Sequence, residues 1–176
     1  MLNTVYQLKR PRQFEAVFKE IDLDQSQVLV RPTHLSICNA DQRYYQGTRN
    51  KEALNQKLPM ALIHEGIGKV VYDPTGSFRA GEAVTMIPNI PEEQDEVVAE
   101  NYLPSSRFCA SGVDGFMREF VSARPDRLLK LPGKMNPYVA AFTELVSVAY
   151  HAIRRFDRSA HSRRKRIGVW GDGNLA

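Results

Sequence analysis

Four residues of types that bind transition metals are spread across the first 144 positions of the sequence. Cys38 follows a run of branched residues, His64 and Glu65 are adjacent, and Glu144 lies early in a helical stretch. A thiolate, an imidazole and a carboxylate together form a zinc site that leaves one position open for water or substrate. Zinc in such a site acts as a Lewis acid on a carbonyl or an alkoxide. The spacing is too wide for a zinc finger, so only the fold can bring these groups together.

Each of these residues also has an ordinary explanation, and spacing alone does not decide between the two. A single cysteine after a strand is commonly a small buried hydrophobe, and a glutamate in a helix commonly faces solvent. In a straight strand, His64 and Glu65 point to opposite faces. Both can face one metal only if the chain bends there, and we expect Gly66 to permit that bend.

A glycine-rich segment near residue 171 predicts a second kind of site. Residues 167–170 read as a short apolar strand, and the sequence GDGNLA at 171–176 then fits the G-x-G-x-x-A pattern of dinucleotide-binding loops. The helix that follows this loop, and the residue about 20 positions on that contacts the ribose, are not in the sequence. We therefore expect the chain to be an N-terminal fragment, inactive alone.

The elements that must position these groups are predicted to be mainly strands up to residue 130. Short segments rich in branched residues, separated by turn signals, are typical of a barrel or sandwich. A proline inside the first of these segments, Pro32, predicts an edge or a bulge. Asn136 as N-cap and Pro137 at the first helical position open one or two helices. The predicted strands cover 27–37, 67–74, 82–87 and 115–123, and the helical stretch covers 136–156.

Composition excludes several classes of protein. The 176 residues are 43% hydrophobic and 25% charged, which is typical of a globular protein. No apolar run approaches the roughly 18 residues that span a bilayer, and the N-terminus does not resemble a signal peptide. With two cysteines there is no disulfide framework, and we predict a cytoplasmic protein without membrane contact.

The net positive charge of the chain comes from one segment. Residues 154–166 carry seven basic residues and one acid, a charge of +6, so the rest of the chain carries −2 of the total +4. The segment could contact a polyanion, which would make the chain a non-catalytic binding module. The other interpretation is the solvated end of a helix and the linker after it, where cations are favourable. We favour the second interpretation and expect no nucleic-acid partner, because a single aromatic residue, Phe156, among these cations is not a stacking platform.

Four sequence motifs resemble those of zinc-dependent medium-chain dehydrogenases, in the same order along the chain. LIHEGIGKV resembles their G-H-E-x-x-G-x-V signature, and SICNADQRYYQG resembles the segment that carries their first zinc ligand. TELVSVAYHAIRR resembles a stretch of the polyol dehydrogenase branch, and VWGDGNLA falls where their cofactor domain begins. The resemblance implies a mostly β fold with some α: a GroES-like, partly open barrel as catalytic domain, followed by the start of a truncated α/β Rossmann domain. The implied boundaries are 1–135 for the catalytic domain, 136–166 for connecting helices and basic linker, and 167–176 for the Rossmann strand and glycine loop.

A narrower resemblance is to the bacterial ribulose-5-phosphate reductases. It is carried by VYQLKRPRQFE, ADQRYYQG, LPMALIHEG, AENYL, SGVDGFMREFV and GDGNLA. It implies NADPH-dependent, zinc-assisted reduction of D-ribulose 5-phosphate to D-ribitol 5-phosphate, a precursor of CDP-ribitol for teichoic acid or capsule. It further implies a sugar-phosphate substrate, functional coupling to a ribitol-5-phosphate cytidylyltransferase and a homodimer at full length. The alternative within the same chemistry is a zinc polyol or alcohol dehydrogenase with another substrate.

The resemblance also assigns roles to individual residues. It makes Glu65 either a fourth ligand or a carboxylate that exchanges with water, and it makes Asp41 a residue that orients a ligand. The implied zinc ligands are Cys38, His64, Glu65 and Glu144, and the implied NADPH-binding residues are Gly171, Gly173 and Asn174. No structural zinc is expected, because residues 89–112 contain only Cys109.

Departures from the family pattern leave the proton route and the phosphate site open. Ala40 stands where many relatives have a hydroxyl residue, and Arg43 stands where a histidine is common. Bound water, Glu65 or Tyr44 could then supply the proton. Arg43 and Tyr44 are candidate substrate contacts. Arg43, with Arg49 and Lys57, could bind the substrate phosphate, or these cations could be ordinary surface residues.

Overall fold

The structure is a computed structural model that describes residues 1–158, 168, 170, 171 and 173. Asn174 and most of the predicted Rossmann strand and basic linker lie outside the described residues. Within the described part there are ten strands, four α-helices and two 3-10 helices. The strands are β1 Leu2–Arg10, β2 Gln13–Glu20, β3 Val28–Ser36, β4 Met60–Ala61, β5 Glu65–Tyr72, β6 Ala83–Met86, β7 Asn89–Ile90, β8 Arg107–Phe108, β9 Val121–Ala123 and β10 Leu128–Lys130. The helices are α1 Asn39–Gln46, α2 Lys51–Lys57, α3 Pro137–Ala140 and α4 Thr143–Arg158, with 3-10 helices at Glu100–Tyr102 and Pro125–Arg127.

The main sheet has five strands in the order β10-β6-β5-β3-β9, and all of its neighbouring strands are antiparallel. β9 and β10 are its two edges, so the sheet remains open rather than closing on itself. Valines that point inward from these strands form the core together with Met86 and Phe116. The predicted mostly β, partly open barrel is therefore confirmed.

β3 shows how one proline is accommodated near the middle of this sheet. The pairing of β3 with β5 shifts register between Pro32 and His34, which is the bulge that the sequence predicts. β9 pairs only with Val28–Val30, so the missing amide of Pro32 faces no strand on that side.

A second sheet, in the order β2-β1-β4, was not predicted. β1 and β2 form a hairpin whose turn contains Pro11 and Arg12, and Arg12 has a φ of +65°. This turn has none of the Asn-Gly or Asp-Gly pairs that mark two-residue hairpins in a sequence, so the sequence pattern does not predict the hairpin.

The predicted strand over 115–123 is only partly correct. β9 occupies Val121–Ala123, whereas the backbone amides of Gly115 and Phe116 bond to the carbonyls of Ala61 and Ile63. Residues 115–117 bond to the segment before β5, and Met117 and Glu119 bond to β1, so the alternating pattern of residues 115–120 does not belong to one continuous strand.

The helical stretch that begins at residue 136 forms two helices, α3 and α4. The side chain of Asn136 accepts a hydrogen bond from the Tyr138 amide at 2.9 Å, and Pro137 occupies the first helical position, so both predicted signals are confirmed. No helix among the described residues is both long and apolar enough to cross a membrane.

Candidate metal centre

The candidate metal centre is assembled where β3 ends and β5 begins. β3 and β5 are antiparallel neighbours, and Ser36 at the end of β3 pairs with Glu65 at the start of β5. Cys38 lies two residues beyond Ser36, and His64 directly precedes Glu65. Strand pairing thus brings together two segments that are separated by about 26 residues in sequence.

Three of the four predicted ligands lie close enough to share one ion. The ligand atoms of Cys38, His64 and Glu65 all lie within 4.8 Å of one another, and Cys38 Sγ is 3.7 Å from His64 Nε2. Glu65 is only 1% exposed, whereas Cys38 and His64 are half-buried and accessible from one side. One soft thiolate, one imidazole and one carboxylate is a donor set that suits zinc, so the residues fit the group that the sequence predicts.

Glu144, the fourth predicted ligand, lies beside this cluster rather than within it. It belongs to the first turn of α4 and is half-buried. Burial raises the pKa of its carboxyl group, the charge of His64 lowers that pKa and the charge of Glu65 raises it. These electrostatic effects place Glu144 close to the two ligands.

Asp41 connects the two ligand segments directly. Its Oδ2 accepts a hydrogen bond from the Cys38 amide at 3.0 Å, and its Oδ1 accepts one from the Ile63 amide at 2.9 Å. Asp41 is 3% exposed, so these two backbone amides, rather than water, donate hydrogen bonds to its carboxylate. Asp41 therefore fixes the backbone next to Cys38 and next to His64 at once; its role in orienting a metal ligand, which the resemblance implies, stays a prediction.

The bend that turns His64 and Glu65 toward one point is at Ile63. We expected Gly66 to provide it, but Gly66 is a regular β5 residue paired with Leu35. Ile63 instead has a φ of +69°, a conformation that is rare for a β-branched residue and costs of the order of 1–3 kcal/mol. Its amide donates to Asp41, and its carbonyl accepts from Phe116 at 2.6 Å, so both sides of the peptide are held.

Gly115 allows the chain at 115–116 to pack closely against this bend and to hold it by hydrogen bonds. A Cβ atom on Gly115 would collide with the carbonyl oxygens of Leu62 and Ile63, so only glycine permits the close approach. The Gly115 amide also donates a hydrogen bond to the Ala61 carbonyl, at 2.8 Å.

Burial, together with a smaller contribution from the charge of Asp41, raises the pKa of the Cys38 thiol to about 11. Without a cation the thiol is neutral near pH 7. A metal ion that binds there must take the place of the thiol proton, as it does at other thiolate sites.

Phe108 completes the wall beside His64 and was missed in the sequence. Its ring packs against the imidazole edge-on, with centroids 5.2 Å apart. Phe108 lies in β8, 44 residues after His64, and nothing in its local pattern distinguishes it from a core aromatic. Only the pairing of β7 with β8 brings it to this position.

The remaining predicted site residues lie in different environments. Arg43 is exposed in the last turn of α1. Tyr44 is 2% exposed in a second core cluster with Leu8 and Met60, so its ring does not face a cleft. Gly171 has a φ of +107°, as a tight glycine turn requires, but the structure does not test the role of Gly171, Gly173 or Asn174 in binding a cofactor.

Comparison with known proteins identifies the family. The sequence pattern of the alcohol dehydrogenase GroES-like domain matches residues 24–133, well over half of the chain. The chain belongs to this family. The GroES-like domain here is the open sheet described above, and the candidate metal centre lies within the matched residues.

Curated relatives of this GroES-like chain include two ribulose-5-phosphate reductases. The Bacillus spizizenii protein is 60% identical over 175 residues, which cover 99% of this chain and 51% of that protein. Ribulose-5-phosphate reductase 1 of Staphylococcus aureus is 53% identical over the same shares. The chain spans about half the length of the curated relatives it matches.

Solved structures agree with this relationship. Staphylococcus aureus TarJ in complex with NADPH superposes with a TM-score of 0.78 at 43% identity, covering 99% of this chain and 48% of that one. L-Idonate 5-dehydrogenase of Escherichia coli superposes with a TM-score of 0.79 at 26% identity, covering 88% of this chain and 47% of that one.

Proposed function

We propose that the whole protein reduces D-ribulose 5-phosphate to D-ribitol 5-phosphate with NADPH, and that zinc assists the reaction. The observation that carries this proposal is the cluster of Cys38, His64 and Glu65, in a GroES-like domain that is 60% identical to a ribulose-5-phosphate reductase. The TarJ structure with NADPH supports the choice of hydride donor. In the reaction a hydride moves from NADPH to C2 of the ketose, and a proton joins the C2 oxygen.

In this proposal Cys38, His64 and Glu65 would hold the zinc ion, and Glu144, which lies beside the cluster, would take the water-exchanging role that the resemblance offers for Glu65. Bound zinc supplies Lewis-acid polarisation of the substrate carbonyl. Asp41 keeps the Cys38 and Ile63 amides fixed, so the ligand atoms do not have to reorganise when the metal binds.

The residues around the cluster have simpler tasks. Phe108 packs against one side of the imidazole and excludes water from it. Ala40 provides no hydroxyl group for a proton relay, so we assign the proton to water that reaches the open side of the site. Tyr44 is a weaker candidate for the proton source than the sequence suggests, because its hydroxyl is buried.

We further infer that residues 167–176 open the cofactor domain, with Gly171, Gly173 and Asn174 near the NADPH pyrophosphate. The protein would act in the cytoplasm as a homodimer and supply a ribitol-5-phosphate cytidylyltransferase. The predicted divisions at residues 135 and 166 belong to this proposal.

The test is a substrate comparison on the whole protein, at the full length of its relatives, purified without chelator. NADPH oxidation is followed with ribulose 5-phosphate, ribulose and simple ketones, and NADP+ reduction is followed with sorbitol and simple alcohols. We expect the highest kcat/KM with ribulose 5-phosphate and a marked preference for NADPH over NADH. A higher kcat/KM with an unphosphorylated polyol or ketose would instead support the polyol dehydrogenase alternative, which the likeness to L-idonate 5-dehydrogenase favours.

A further inference from the structure

A loop beside the candidate metal centre is built in a strained form. The loop, residues 108–113, contains two residues in the left-handed region, Ala110 at φ +58° and Gly112 at φ +97°. The Ser111 amide donates to the Phe108 carbonyl at 3.1 Å, which closes a tight turn. Backbone strain of this kind persists where surrounding structure holds it, and it is concentrated at sites of function.

The turn joins the metal centre to a lysine. At one end Phe108 packs against His64, with ring centroids 5.2 Å apart. At the other end the Ser111 hydroxyl is 2.8 Å from Nζ of Lys57. Three successive contacts thus lead from His64, through Phe108 and Ser111, to the Lys57 ammonium group.

Lys57 differs from most other cationic side chains of the protein. It is half-buried at the end of α2, and within the described residues no carboxylate lies within ion-pair distance of it. Its one hydrogen-bond partner there is a neutral hydroxyl group, so two of its three donor positions remain for another group. A partly desolvated ammonium ion without a counter-charge is a favourable place for an anion.

A third donor lies next to this pair. The Gly112 amide donates only to the sulfur of Met60 at 3.2 Å, and a thioether is a weak acceptor. Gly112 adjoins Ser111 in sequence, and Lys57 Nζ contacts the Ser111 hydroxyl directly. This set of donors carries one net positive charge and suits the oxygens of a phosphate group.

We propose that Lys57 and Ser111, with the Gly112 amide, bind the phosphate of the sugar-phosphate substrate. This inference rests on the proposed function for the identity of the substrate. In ribulose 5-phosphate the phosphate is three carbons from the carbonyl that reacts, so its site must be near the metal ligands but separate from them. The turn at 108–111 links Phe108, which packs against His64, to Ser111, which contacts Lys57.

The other two cations that the sequence suggested are placed less favourably. Arg43 is exposed on α1, and no contact in the described residues connects its side chain to the cluster. The Arg49 guanidinium lies 4.3 Å from the centre of the Tyr44 ring, and its Nε is buried there. Of the three, Lys57 alone is joined to the loop that contacts His64.

Replacement of Lys57 by Met in the whole protein tests the proposal. We expect KM for ribulose 5-phosphate to rise about 10- to 100-fold, the usual value of a charge-assisted hydrogen bond. Activity with unphosphorylated ribulose should change by less than about twofold, Lys57→Arg should restore part of the affinity, and Ser111→Ala should show a smaller rise. Lys51→Met is the matched control, because Lys51 is exposed at the opposite end of the same helix.

An equal loss with both ketoses, or an unchanged KM for ribulose 5-phosphate, would overturn the phosphate site. A second measurement separates it from the proposed reaction. Inorganic phosphate at millimolar concentration should raise Tm of the wild type and of Lys51→Met, but not of Lys57→Met. If that Lys57-dependent shift is found while no ketose is reduced, the phosphate site stands and the proposed reaction fails. If phosphate shifts Tm of Lys57→Met as much as that of the wild type, the site is refuted whatever the activity.

Discussion

The two cysteines occupy regions with contrasting chemistry, although their thiols have similar acidity. Cys38 lies in the ligand corner, which we define as residues 36–41 and 63–65. Cys109 lies in the barrel interior, packed with Met86 and Phe116 and 4% exposed. Burial is the largest cause of the raised pKa in both, to about 11 in each case. Acidity therefore does not distinguish a metal ligand from a core residue in this protein.

The neighbours make the difference. Cys38 has an imidazole nitrogen at 3.7 Å and a buried carboxylate within 4.8 Å. The charged groups nearest to Cys109 are Arg118, which lowers its pKa, and Asp114, which raises it. A cation is repelled by the first of these and the second already binds Lys19. The comparison shows that competence for metal binding comes from converging ligands rather than from a reactive thiol.

Removal of each thiol in turn tests most directly whether Cys38, and not Cys109, binds zinc. We expect Cys38→Ser to lower zinc affinity by more than about 100-fold, because a ligand contributes more than the groups that orient it. Cys109→Ser should keep near one zinc per chain. Metal content by mass spectrometry, on protein purified without chelator, measures both. Zinc retained in Cys38→Ser, or lost in a folded Cys109→Ser, would show that we have assigned the two regions wrongly.

Stability at high pH should depend on the thiol in the barrel interior. The pKa of Cys109 is raised from 9.0 to about 11 in the folded state, so the folded state holds its proton where the unfolded state releases it. The contribution is therefore fully present below pH 9 and is lost as the pH rises toward 11, about 3 kcal/mol in all. Urea unfolding of wild type and Cys109→Ala at pH 8 and pH 10.5 measures it. The wild type should lose more stability over this range than the variant, and parallel losses would contradict the assignment.

Asp41 tests whether the ligand corner is held by its hydrogen bonds. Asp41→Asn leaves one acceptor for two amides and turns a donor toward the other. We expect zinc affinity to fall by about 10- to 100-fold, as for other residues that orient metal ligands. Zinc titration with a competing chelator measures the change.

Asp73 offers a matched control for that substitution. Its carboxylate also accepts from two backbone amides, those of Thr75 and Phe78, but it lies in the turn after β5. Asp73→Asn should cost stability without changing zinc affinity. An equal fall in zinc affinity in both variants would mean that loss of stability, not loss of ligand positioning, lowers metal binding.

The smallest effect is expected at Arg118 in the barrel interior. Burial lowers the pKa of this guanidinium, its Nε has no hydrogen-bond partner, and no carboxylate lies within ion-pair distance in the described residues. Arg118→Met removes a half-buried guanidinium that has no ion-pair partner in the described residues, so we expect the free energy of unfolding to rise by about 1 kcal/mol. Thermal or urea unfolding measures it. A loss of more than 1 kcal/mol would contradict this prediction and show that contacts of Arg118 in the cavity of about 190 Å³ that it lines stabilise the fold.

The fold was predictable from the sequence where local signals were strong. The predicted strands at 27–37, 67–74 and 82–87 correspond to β3, β5 and β6 to within about two residues at each end, and the helical start at Asn136 is correct. α1 was missed because it is eight residues long and begins after Cys38, which is not a typical N-cap residue. The β1–β2 hairpin was missed because its turn lacks a glycine signal.

The residue types available for metal binding and the approximate positions of the strands could be derived from the order of residues alone. Residue chemistry and hydrophobic period are local properties of the chain. Which groups converge depends on how the strands and loops pack. Pairing of β3 with β5 joins Cys38 to Glu65, Asp41 holds a strained Ile63, and the turn at Phe108 brings Ser111 to Lys57. These contacts depend on long-range pairing and on backbone conformations of single residues, which no local pattern specifies.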